Sequence, residues 1–91
     1  MDTPHVNGAI KISILDFQKR LLPQAYALQE RLKQGEIPTE HDLDFLAELL
    51  KKIQQLQSLT VNRSEHYRFM ETTIALYLEL LEAARNNTSN L

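Results

Sequence analysis

The sequence predicts an all-α fold, an antiparallel bundle of three helices over about residues 13–34, 40–57 and 63–85. Three observations carry this. Apolar residues recur at spacings of three and four along most of the chain, the signature of one-faced helices. Two Gly and three Pro supply too few turn formers for an all-β chain. One strong punctuation, Gln34-Gly35-Glu36-Ile37-Pro38-Thr39-Glu40, separates two helical patterns by a connection short enough to make them antiparallel neighbours. At 91 residues the chain is expected to form a single helical domain over residues 9–85, between flexible tails at 1–8 and 86–91.

The first helix is expected to open at Ser13. Asp16 stands at the capping-box position, and Ile12 with Phe17 at the two positions of a hydrophobic staple. Ile14, Phe17, Leu21, Ala25, Leu28 and Leu32 then share one face, which Leu15, Leu22 and Tyr26 widen. Pro23 removes a backbone donor and crowds the carbonyl of Lys19. Because the apolar phase runs through it, one helix kinked at Pro23 is favoured over two. The alternation Ile10, Ile12, Ile14 would suit a strand, but no second strand is visible to pair with it.

Gly35 suits the left-handed residue that closes a helix, and Pro38 cannot continue one. Thr39 is expected to cap the second helix with Asp42 in a capping box, and Glu40, Asp42 and Asp44 favour its positive end. Leu43, Phe45, Leu46, Leu49, Leu50, Ile53 and Leu56 form its apolar face. Ser58 to Asn62 are poor helix formers, and Asn62 followed by Glu65 gives a third start signal.

The third helix is too apolar for one contact. Tyr67, Met70, Ile74, Tyr77, Leu78, Leu81 and Ala84 form a main stripe, expected to face the core. Phe69, Leu76, Leu80 and Ala83 form a second stripe, displaced by roughly 110°, with His66 and Thr73 between the two. A central helix touching both neighbours would use a wide arc. Yet the first two helices are already apolar over roughly half their circumference, and each large side chain left in water forgoes roughly 1.5–3 kcal/mol. The expectation is therefore an oligomer, most simply a homodimer. The partner-binding residues are expected to be Tyr67, Phe69, Thr73, Leu76, Tyr77 and Leu80.

Chemistry is not expected. Cysteine is absent, which removes thiolate nucleophiles and cysteine-ligated metals. The three histidines stand outside any H-x-x-x-H or E-x-x-H spacing, so no metal is expected. His41, Glu40, Asp42 and Asp44 scatter around one helix start. Ser13, Ser58 and Ser64 sit at expected caps or connections, and two glycines cannot build a phosphate cradle. No cofactor, catalytic residue or small-molecule substrate is therefore expected. A net charge of −2 gives no drive toward nucleic acid. No apolar run approaches the roughly 20 residues of a membrane span, and no secretory leader is evident, so a cytoplasmic protein is expected.

The function expected is a small non-enzymatic protein-interaction module: a homodimeric adaptor, a chaperone for one client, or a regulator. The alternative is an accessory subunit of a larger enzyme or membrane complex. A nucleic-acid-associated regulator is less favoured.

Overall fold

The computed structural model describes residues 3–60 and 64–89, with side chains from residue 10 onward. Its elements are α1 (Thr3–Asp16), a π turn (Phe17–Leu21), α2 (Leu22–Lys33), α3 (Glu40–Thr60), a short 3-10 turn (Ser64–His66) and α4 (Tyr67–Ser89). α1, the π turn and α2 form one continuous first rod, so the chain is an all-α three-helix fold with no strand among the described residues.

The first rod begins ten residues before the expected cap. Ser13 lies inside α1 rather than at its start, and Ile12 is exposed rather than stapled to Phe17. Ile10 supplies the reason. It stands one turn before Ile14 on the same stripe and is almost wholly buried. Burying an Ile is worth roughly 1.5–3 kcal/mol, more than the roughly 1 kcal/mol of a cap or the similar cost of Gly8 in a helix. Pro4 falls in the first turn, where its missing N–H has no helical partner to lose.

Pro23 does not break the rod. The backbone stays right-handed helical through Leu21 and Leu22, and the irregularity appears one turn upstream as the π turn. There the Leu22 N–H donates to the Phe17 carbonyl, five residues back. A wider turn accommodates the proline ring and the donor it lacks. The Gln24 side-chain amide donates to the Arg20 carbonyl at 2.8 Å beside it.

α2 ends as the sequence predicts. Gly35 has φ 87, and the Glu36 N–H donates to the Arg31 carbonyl at 3.2 Å while the Gly35 N–H donates to Leu32 at 3.0 Å. This pair of bonds closes the helix on a left-handed residue that glycine adopts without strain.

The expected box opens α3. The Thr39 Oγ1 accepts from the Asp42 N–H at 3.1 Å, and the Asp42 carboxylate accepts from the Thr39 N–H at 2.9 Å. α3 then runs on to Thr60 instead of stopping near 57. Thr60 is buried, with its hydroxyl donating to the Leu56 carbonyl at 2.8 Å. The start signal at Asn62 lies outside the described residues.

α4 likewise outruns its expected end at 85 and reaches Ser89. Asn87, expected in a tail, donates its side-chain amide to the carbonyls of Leu32 at 2.9 Å and Glu36 at 2.8 Å. It thereby ties the end of α4 to carbonyls at the last turn of α2 and in the connection that follows it.

The core is continuous along the bundle. Phe17, Leu21, Ala25, Leu28 and Leu32 meet Phe45, Leu46, Leu49, Ile53 and Leu56, with Met70, Leu76, Leu80 and Ala84 from α4. Phe17 and Phe69 pack edge to face, with ring centroids 5.9 Å apart. No helix among the described residues is long and apolar enough to cross a membrane.

Candidate interaction surface

The phase of α4 decides which side chains reach solvent. Its buried line runs through Met70, Thr73, Leu76, Leu80 and Ala84, midway between the two stripes read from the sequence. Three of the expected partner-binding residues therefore lie in the protein's own core: Leu80 is 0 % exposed, Thr73 3 % and Leu76 8 %. Phe69 and Tyr77 are half-buried against that core, and of the six only Tyr67 stands clear of it, 67 % exposed.

The cause is that α4 contacts both other rods, so its core direction bisects them. Phe69, Glu79 and Asn87 face the first rod, through Phe17, Gln29 and Leu32. That contact takes up the stripe expected to be free. The Thr73 hydroxyl, which could have been orphaned, donates to the Phe69 carbonyl at 2.8 Å.

The doubled apolar character survives this correction, but the exposed half is the other one. Leu78 and Leu81, expected in the core stripe, are exposed with Tyr67, and Ile74 between them is half-buried. At 100° per residue, Tyr67, Ile74 and Leu78 stand about 140–180° around α4 from Phe69, on the side away from the first rod.

α3 shows the same asymmetry. It meets the first rod through Glu48, which accepts from Arg20 at 3.3 Å, and through Asp42, which binds Arg31. Leu43 and Leu50 stand about 140–160° from Glu48 around α3. Leu43 is exposed and Leu50 half-buried. Because α3 and α4 are antiparallel and packed together, these edges flank one outer groove. Leu43 falls toward the Leu81 end, and Leu50 toward Ile74 and Leu78. The sequence places both α3 residues on the apolar face of the second helix and neither among the expected partner-binding residues; the structure leaves Leu43 exposed at the margin of that face. The signal that finds the α4 edge is the spacing of four and three through Tyr67, Glu71, Ile74, Leu78, Leu81 and Arg85, a coiled-coil seam separate from the core line.

Polar side chains gather at the start of α3, on the side turned toward α2. The Arg31 guanidinium grips both oxygens of Asp42, with Nη1 to Oδ2 at 3.1 Å, and lies 3.6 Å from Glu36. The Arg31 hydrogen bonds hold the Asp42 carboxyl below the usual carboxylate range; burial opposes them, and the Thr39 bonds assist. This arrangement fastens the α2–α3 turn to its own helices and spends the carboxylate on structure. His41 is exposed beside it. Among the described residues no three His, Asp or Glu side chains are grouped to hold a metal ion.

No known family model, curated protein or solved structure matches this chain.

Proposed function

We propose that the protein is a small non-enzymatic interaction module that docks another protein chain along the outer groove of α3 and α4. The supporting observation is the alignment of exposed apolar side chains across two packed helices, with Leu78 55 % and Leu43 51 % exposed and Tyr67 and Leu81 on the same side; Ile12, Leu15 and Tyr26 are exposed as well, but on the first rod alone. Exposed Leu and Tyr are ordinary when scattered; aligned on one edge they mark a contact surface. Such a groove receives an amphipathic helix, reading it by apolar positions three and four residues apart. An adaptor, a single-client chaperone and a regulator all work through this one contact. In the same reading, the π turn and Pro23 are where the first rod bends to follow its neighbours, leaving α3 and α4 to present the surface.

A photo-crosslinking side chain placed at position 78, and another at exposed Gln24 on the first rod, tests this in the cell. The expected result is a discrete protein adduct from position 78 and none from position 24. No adduct at 78, or the same adducts from both positions, would sink the proposal.

A further inference from the structure

We infer that the partner in this groove is a second copy of the same chain, its α4 antiparallel to the first and crossing it at Leu78. This rests on the interaction-module reading and goes further by naming the partner and its orientation.

The argument comes from charge. Leu78 has Glu71 seven residues before it and Arg85 seven residues after it, on the same edge of α4. Seven residues make nearly two turns, so the three side chains stand in one line, the charges about 21 Å apart along the axis. Both charged residues are exposed, and among the described residues neither belongs to an ion pair; the pairs there engage Arg20, Arg31 and His66. In a parallel self-pairing Glu71 would face Glu71 and Arg85 would face Arg85. In the antiparallel one, a two-fold axis through Leu78 sets each Glu71 opposite the other copy's Arg85, twice over. At these two positions the edge is complementary to its own reverse, as an isologous contact requires, while exposed Glu82, one turn after Leu78, has no basic residue at its mirror position. Opposite charges set within a seam on either side of its centre select partner and orientation, because the wrong alignment faces like charges. Leu78 would meet its symmetry mate at the centre, with Ile74, Leu81 and Leu50 alongside.

Sedimentation equilibrium of the purified full chain, with Glu71→Arg, Arg85→Glu and the double variant, tests the inference. The wild type is expected to be a dimer. Each single reversal sets two like-charge pairs face to face and should raise the dimer Kd by roughly tenfold. The double reversal restores two opposite pairs and should return Kd to within about threefold of the wild type. Far-ultraviolet circular dichroism of each variant at low concentration should match the wild type, since both sites are exposed.

A wild type that stays monomeric at 100 µM would overturn the inference. So would a trimer, single reversals without effect, or a double reversal that fails to recover. None of these touches the crosslinking test at position 78, so failure of the self-partner is distinguishable from failure of the module.

Discussion

Asp42 shows how one side chain does several structural tasks. Its amide and carboxylate complete the cap of α3, and the same carboxylate receives the Arg31 guanidinium from α2. At 5 % exposure it is a buried charge whose oxygens are all spoken for. Its pKa is lowered on folding, so the folded state holds the proton less tightly than the unfolded chain does. The stability it contributes is therefore fully present above the unfolded value, near pH 4, and is lost as pH falls through the folded value. Asp42→Asn should cost about 1–3 kcal/mol at pH 7, from the lost ionic bond and weaker cap. By pH 2–3 the gap to the wild type should shrink substantially, as urea unfolding at the two pH values would show. An equal cost at both would mean that the carboxylate's charge is not what Arg31 and Thr39 hold.

At the level of the helices, what could be read in advance was whatever is local in sequence. The Thr39–Asp42 cap and the Gly35 terminator formed where residues within six positions of each other specify them. Ser13 failed as a start because its competitor was the burial of Ile10, a tertiary effect. The same holds for Asn87, whose partners Leu32 and Glu36 lie more than fifty positions away. The phase of α4 is the sharpest case. Periodicity showed two apolar stripes, but which faces inward depends on where the first rod and α3 sit, and no window on α4 contains that. The resulting assignment can be tested by a pair of truncations. Leu80→Ala should cost about 2–5 kcal/mol because it empties a fully buried site. Leu78→Ala, at concentrations where the chain is alone, should stay within about 0.5 kcal/mol. Comparable losses from the two would show that α4 is rotated from the phase described.

For the molecule as a whole, shape explains why the groove stays open. The bundle measures 55 × 19 × 16 Å, a rod only one core thick. Three helices in such a bundle each have an outer edge, and no fourth element among the described residues lies over α3 and α4. A domain of this length has a small stability margin, so apolar area recovered by association would form a sizeable part of it. If folding and self-association are linked in this way, stability must depend on concentration. A hundredfold increase in free partner above Kd adds about 2.7 kcal/mol to a linked folding equilibrium. For a chain of this size that should raise the midpoint of thermal unfolding by several degrees. Melts of the wild type at 1 µM and 100 µM should show that rise. Leu78→Glu, which places a charge at the centre of the groove, should melt at nearly one temperature at both concentrations while keeping its helical circular dichroism. A wild type whose midpoint ignores concentration would mean that the exposed edge of α3 and α4 adds nothing to stability by meeting itself.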